Sequence, residues 1–280
     1  MYKCGIDVGG TNIKFGIFDD KNNLIKNISI KTSKNKDEIV CDIISTIKNN
    51  VDINDVLGYT LALPSVLKDN IVVYSPNTNI IGINFYEILS KELNNKNIII
   101  DNDANMAALA EARLSGLKDL VLITLGTGVG GGIIIDGKIY NKNGFAGEVG
   151  HIKVDYLPTA RKCGCGKYGC CEAYSSAKNI VYDYNKINNT NITSKELLDM
   201  PNAEEYVVDG FDKLARMLSD ITAVLSIKDI RFTGGMSNMN QKYYDLINKL
   251  YLNYSLIDDI NISQAMLGSE AGIYAAKYIF

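Results

Sequence analysis

Two stretches of this chain follow one plan. Residues Lys3 to Asp19 read as an apolar strand, a turn Asp7-Val8-Gly9-Gly10-Thr11, and a second strand in which Ile13, Phe15 and Ile17 alternate. Residues Val121 to Ile139 repeat it, with an apolar strand, a Gly126-Thr127-Gly128 turn, an apolar strand, an Asp136-Gly137 turn and a further strand. One offset of 117 positions carries Gly9 onto Gly126 and Asp19 onto Asp136. Such self-similarity reads as an internal repeat of one supersecondary unit.

At 280 residues and 46% hydrophobic content, the chain is long enough for two domains, each with its own core. A net charge of -3, with Lys scattered among Asp and Glu, argues against a nucleic-acid surface. The N-terminus enters an apolar strand at once, with no basic segment or long apolar core, so no signal peptide is expected. The longest apolar run, Leu120 to Ile135, holds five glycines and reads as two strands around a turn rather than a membrane span. A cytoplasmic protein with neither nucleic-acid nor membrane partner is the expectation.

Between the repeats, Leu24 to Ile30 reads as a strand, Asp37 to Asn49 as a helix, Gly58 to Leu63 as a strand stopped by Pro64, and Phe85 to Leu93 as a helix. Asn97 to Ile100 reads as a buried strand that delivers Asp101-Asn102-Asp103 to its C-terminal end, before the Ala-rich helix Ala104 to Leu114. Ligands bind at such ends in open α/β sheets. Further helices are expected at Ser175 to Tyr184, Ser194 to Asp199, Ala203 to Ser226, Gln241 to Leu252 and Ser269 to Ile279, with strands at Asp229 to Phe232 and Ile260 to Ile262. Asn-rich stretches such as Asn185 to Asn191 read as loops.

Gly144 to Glu172 concentrates the chain's single histidine and four of its six cysteines. Cys163, Cys165 and Cys170 stand as C-x-C-x4-C with Gly164, Gly166 and Gly169 between them, so the backbone can turn three sulfurs onto one ion. His151 completes a Cys3His set that suits structural, tetrahedral zinc, with Cys171 left over. The competing readings are packed thiols and a disulfide pair.

Each Gly-rich turn can aim backbone N–H groups, with hydroxyls from Thr11, Thr124 and Thr127, at a phosphate. Neither turn fits a P-loop, and no helix comes directly after it as a dinucleotide fingerprint requires. Asp7 at a strand end suits Mg2+ beside phosphates, and Lys14 either meets a phosphate or is a solvated strand residue. Asp103 is the candidate general base for phosphoryl transfer to an alcohol, with Asp101 a competitor and helix capping the alternative for both. Glu148 and Glu172, with Asn77 and Asn102, suit hydrogen bonds to the vicinal hydroxyls of a sugar.

The ordered motifs Asp7-x-Gly9-Gly10-Thr11-x-x-Lys14, Asp101-Asn102-Asp103-Ala104-Asn105, Leu125-Gly126-Thr127-Gly128-x-Gly130-Gly131, Gly147-Glu148-x-Gly150-His151 and Cys163-x-Cys165-Gly166-x-x-Gly169-Cys170-x-Glu172 together resemble the ROK family of sugar kinases and repressors. The likeness runs from Lys3 to the closing Leu267-Gly268-Ser269-Glu270-Ala271-Gly272. It implies a two-domain actin-like ATPase (ribonuclease H-like) fold with an interdomain cleft, one domain from residues 1–115 plus 267–280 and the other from 116–266. It also implies an ATP-dependent hexose kinase acting on a sugar 6-hydroxyl, glucose first, with an N-acetylmannosamine or other hexosamine kinase or a fructokinase as alternatives. A sugar sensor without turnover is the non-enzyme alternative. The repressors carry a helix-turn-helix before the first phosphate strand, for which no room is expected here.

By position, the resemblance makes Asp103 the base. Asn102, Glu148, His151 and Glu172 become sugar ligands, His151 serving zinc with one ring nitrogen and substrate with the other. Gly234 and Gly235 match the turn that packs on adenosine, and a homodimer is implied. Ala62 and Ser65 around Leu63-Pro64, and Asn77-Thr78-Asn79-Ile80-Ile81-Gly82, depart from the family's usual sugar loops and leave the sugar open.

Overall fold

The strands carry the repeat further than the motifs do. The computed structural model describes residues 1–75, 78–141 and 144–280. Strands β1 (Tyr2–Val8), β2 (Asn12–Phe18), β3 (Leu24–Lys31), β4 (Val56–Leu63), β5 (Val66–Lys68), β6 (Ile71–Tyr74) and β7 (Ile98–Asn102) come first. After them come β8 (Leu120–Leu125), β9 (Val129–Ile135), β10 (Lys138–Ile139), β11 (Asp229–Thr233) and β12 (Asn261–Gln264). One sheet runs β3-β2-β1-β4-β7 and the other β10-β9-β8-β11-β12, so each reads third, second, first, fourth, fifth within its own set. The bounds of β9 lie 117 residues after those of β2 at both ends.

The chain divides into two units by contact. The first comprises Met1–Lys118, Ile134–Ala146 and Ser269–Phe280, and the second Asp119–Ile133 and Gly147–Gly268. Ile134–Ala146, expected in the second domain, is held by the first through local bonds. Gly137 N donates to Lys118 O (2.7 Å), Arg113 Nη2 to Gly137 O (3.0 Å) and Asn141 Nδ2 to Asp101 Oδ1 (2.8 Å).

Within the first unit, the helix Lys36–Asn50 buries Ile39, Ile43 and Ile47, the i, i+4 stripe that a helical period requires. Each such burial contributes roughly 1.5–3 kcal/mol. The closing helix, Ala271–Ile279, lies on β1 and against the Ala-rich helix Asp103–Ser115. Small residues make that approach possible. A Cβ on Gly5 would stand 1.9 Å from Ile273 O, and one on Gly272 would stand 2.8 Å from Asp7 Cγ.

Three local outcomes differ from the sequence expectation. Val66–Lys68 and Ile71–Tyr74 form an unexpected antiparallel hairpin whose turn residues, Asp69 and Asn70, both have positive φ (51° and 64°), the signature of a tight primed turn. The helix expected over Ser175 to Tyr184 is three short ones, Glu172–Ser175, Ala177–Ile180 and Tyr182–Asn188. It breaks at extended Ser176 (ψ 157°), where the next amide, Ala177 N, leaves the helical ladder to donate to Gly126 O at 2.8 Å. The Asn-rich loop starts late, because Asn185 to Asn188 are helical and Asn189 ends the helix in the left-handed region. Asn185 then orders the loop after Asn189, exchanging two side-chain bonds with the backbone of Ile192.

The packing at Gly5 gives a test. Gly5→Ala should lower unfolding free energy by about 3 kcal/mol in urea denaturation, because its neighbour is backbone and cannot rotate away. A change within about 0.5 kcal/mol would contradict the close approach.

Candidate functional site

In the first unit, β1 pairs with β4 and β4 with β7, both parallel, and the register sets Asp7, Ala62 and Asp101 in one row across three strands. Asp7 is half-buried. Burial pushes its carboxyl above the ordinary aspartate range, and Lys14, its cross-strand partner on β2, pulls it part of the way back. The first turn is closed by Gly9 N donating to Asn12 O (2.9 Å), and Thr32 Oγ1 donates to Gly9 O (2.6 Å). Gly9 N–H therefore serves the turn itself. Gly10 and Thr11 sit exposed at its tip.

At the end of β7, Asn102 is the N-cap of the helix Asp103–Ser115, its Oδ1 accepting from Ala104 N at 2.9 Å. Asp103 is the first helical residue, and its Oδ1 also accepts from Ala104 N (2.8 Å). Asp101 is committed elsewhere. Its Oδ1 accepts from Asn102 N (2.7 Å), Asn105 Nδ2 (2.8 Å) and Asn141 Nδ2 (2.8 Å). Ser65 has its own structural duty, bonding Ser75 through its hydroxyl (3.0 Å) and accepting from Asn102 Nδ2 (3.3 Å) through its carbonyl. Asn77 lies outside the described residues.

In the second unit, His151, Cys163, Cys165 and Cys170 bring their ligand atoms within 4.8 Å of one another. Cys163 Sγ lies 3.7 Å from His151 Nδ1, and Cys165 Sγ lies 3.8 Å from Cys170 Sγ. Tetrahedral zinc with bonds of about 2.3 Å to sulfur needs S···S near 3.8 Å, so the cluster has the dimensions of that ion. Gly166 and Gly169 turn the loop through positive φ (85° and 79°). Cys171 is fully buried against Ser175, with its thiol pushed up to about 12 by burial, and takes no part.

With His151 Nδ1 turned to the sulfurs, Nε2 faces Glu148 Oε2 at 3.8 Å, and both side chains remain well exposed. The single turn Val149–His151 carries this histidine and lies against β9: a Cβ on Gly150 would stand 2.0 Å from Val129 O. Glu172 joins the cysteine loop to the Gly126-Thr127-Gly128 turn. Its Oε2 accepts from Val129 N (3.1 Å), Cys163 Sγ lies 3.4 Å from its Oε1, and Gly128 leaves room that a Cβ, 2.5 Å from Oε2, would fill. In that turn Gly126 N donates to Gly128 O (3.0 Å) and Gly130 N to Thr124 Oγ1 (3.0 Å).

β11 runs parallel to β8, with Thr233 opposite Thr124, and ends at Gly234 (φ 93°), packed on Leu125 O. Beside Gly235 opens a cavity of about 280 Å³ lined by Leu198, Met236 and Met239, with Ser194, Lys195 and Asn240 at its polar edge. The sequence pointed to the two glycines but not to the segment Ser194–Asp199 facing them. Only the tertiary fold brings those together.

Asp7 carries a stability signature. Its folded-state pKa is raised, so between the ordinary aspartate range and the raised value the folded state binds more protons than the unfolded one, and stability falls as pH rises through that window. Asp7→Asn should raise the urea midpoint at pH 7, with the advantage vanishing below the unfolded aspartate pKa of about 3.9. An unchanged or lower midpoint at pH 7 would contradict a burial penalty at Asp7.

The ROK family model matches residues 3–280. A glucokinase of Halalkalibacterium halodurans is 29% identical over 98% of this chain and 93% of its own length. An N-acetyl-D-glucosamine kinase of Photobacterium profundum is 28% identical over 98% of both. The crystal structure of a ROK family glucokinase from Streptomyces griseus in complex with glucose and AMPPNP superposes with a TM-score of 0.76 at 27% identity, covering 100% of this chain and 99% of that one. The fold is that of the actin-like sugar kinases, and the chain belongs to the ROK family.

Proposed function

We propose that this protein is an ATP-dependent hexose kinase that phosphorylates a sugar 6-hydroxyl, with glucose the first-choice acceptor. The observation that carries the reading is the pair of acids at the end of β7. Asp101 is occupied by three donors on one oxygen, while Asp103 stands at a helix N-terminus as the family motif requires of a base. Relatives over nearly the whole chain are named glucokinase, which supports glucose. A relative of equal identity named N-acetyl-D-glucosamine kinase keeps a hexosamine as the second reading.

In this reading, Asp103 accepts the 6-hydroxyl proton as the sugar oxygen forms its bond to the γ-phosphorus and the bond to the ADP leaving group breaks. The amides of Gly10 and Thr11 in one turn and of Thr127 and Gly128 in the other supply the phosphate contacts, and Lys14 adds a cation. The nucleoside enters the cavity beside Gly235, whose methionines and leucine offer an apolar seat for a base. Asn102, Glu148, His151 Nε2 and Glu172 hold the sugar, with Asn77 the remaining candidate. Mg2+ near Asp7 would offset phosphate charge.

His151, Cys163, Cys165 and Cys170 would hold a structural zinc, because three thiolates and one imidazole make a complete set of protein ligands. A metal bound there would act on the sugar only indirectly, since His151 turns Nδ1 to Cys163 and leaves Nε2 toward Glu148. A cytoplasmic homodimer completes the proposal. Among the described residues no helix is long and apolar enough to cross a membrane.

Two variants test the assignments. Asp103→Asn should lower kcat about 10³-fold while calorimetric sugar binding persists, and retained turnover would remove Asp103 as base. Cys165→Ser should purify without stoichiometric zinc and unfold at lower temperature, whereas Cys171→Ser should keep its metal. Equal metal content in the two would contradict the ligand set. ADP release with Mg2+-ATP against glucose, N-acetylglucosamine, N-acetylmannosamine, mannose and fructose should give one strong responder. Silence across that panel from folded, zinc-loaded protein would favour a sensor.

A further inference from the structure

The Asp101 carboxylate needs an explanation of its own. Burial pushes its pKa up, and bonds from Asn105, Asn102 and Asn141 offset this only in part. A half-buried acid retained at such a site is there for its acceptor oxygen. All three donors converge on Oδ1, and they come from three parts of the chain. Asn102 N is the next amide and fixes the peptide that leads into Asp103. Asn105 lies on the first turn of the helix that Asp103 begins, and is 2% exposed. Asn141 arrives from the segment Ile134–Ala146, 40 residues away in sequence.

The two asparagines show which bond matters. Each turns its amide N–H to Asp101 and leaves its own buried Oδ1 without a hydrogen-bond partner. An unsatisfied buried carbonyl is unfavourable, so both side chains keep their orientation for the carboxylate rather than for their own saturation. On the other side of the same turn, Asn102 caps the helix and reaches Ser65 O. The Asn102-Asp103 peptide is thus bracketed from the strand, the helix and a distant segment.

We propose that Asp101, Asn105 and Asn141 form a positioning anchor that holds Asp103 in its reactive orientation, with Asn141 a positioning residue of the reaction although it stands outside every motif. The assignment rests on the reading of Asp103 as the base. Asp101 contributes an acceptor, not a proton transfer. A displacement of about 1 Å at a reacting group can lower a rate about 100-fold, which sets the scale expected when the anchor is cut.

The test uses the full-length protein with its metal and has two readouts. Amide hydrogen exchange in the stretch covering residues 100–105 should quicken about ten-fold in Asn141→Ala, with exchange elsewhere unchanged. This readout does not depend on turnover, so it tests the anchor even if no sugar proves to be a substrate. With the responding sugar, Asn141→Ala and Asp101→Ala should lower kcat about 10-fold and 100-fold with KM for sugar and ATP within about three-fold. Asp101→Asn, which keeps an acceptor oxygen in place, should recover most of that loss. Unchanged exchange at residues 100–105 together with wild-type kcat in Asn141→Ala would overturn the anchor. An Asp101→Asn variant as inactive as Asp103→Asn would overturn it differently, by making Asp101 itself the reacting acid. Wild-type silence on every sugar, with the exchange change present, would sink the kinase reading and leave the anchor standing.

Discussion

Parallel pairing in fixed register, continuous between β1 and β4 from Lys3 to Asp7, is the constraint on which the site depends. In the first sheet it sets Asp7 beside Ala62 and Ala62 beside Asp101, so the two acids share a row about 10 Å apart across three strands. In the second it sets Thr124 beside Thr233, and the Gly126 turn and the Gly234 turn leave from adjacent strand ends. A slip of one residue in either ladder would move every one of these side chains to the opposite face. The strands are therefore more than a scaffold, because their register determines which loop residues meet.

Close backbone approach then joins the loops within the second unit. Gly150 lets the turn bearing His151 lie on Val129, and Gly128 admits the Glu172 carboxylate that bonds Val129 N. Ala177 N reaches Gly126 O at the expense of helix continuity. The cysteine loop, Glu148, His151, Glu172 and the Gly126 turn consequently form one chain of contacts. A disturbance at the cysteine cluster would therefore be felt at the turn as well as at His151.

Much of this was legible in the sequence, for physical reasons. The repeat at a 117-residue offset survives as a full strand order because glycine turns and alternating apolar residues encode hairpins locally. The Cys3His spacing was readable because three glycines between three cysteines have few other uses. The hairpin at Val66–Tyr74 was missed although Asp69-Asn70 carries the turn signal, because Pro64 reads as the end of order. The broken helix after Glu172 was not legible, since its cause is a bond from Ala177 to a turn some fifty residues earlier. Likewise Asp101 and Asp103 are equivalent as letters. Position in the family motif alone favours Asp103 as the base, and what the sequence does not show is that the side chains of Asn105 and Asn141 both fall on Asp101.

The most direct test of the central claim is the site of phosphorylation on the product. Incubation of the purified, zinc-loaded protein with glucose and Mg2+-ATP, followed by phosphorus–proton correlation NMR, should give a single new phosphomonoester coupled to the two C6 protons. A phosphoester at another carbon would contradict the assignment of the 6-hydroxyl to Asp103. Inorganic phosphate alone, with no sugar phosphate, would mean that the nucleotide site works without the acceptor chemistry proposed here.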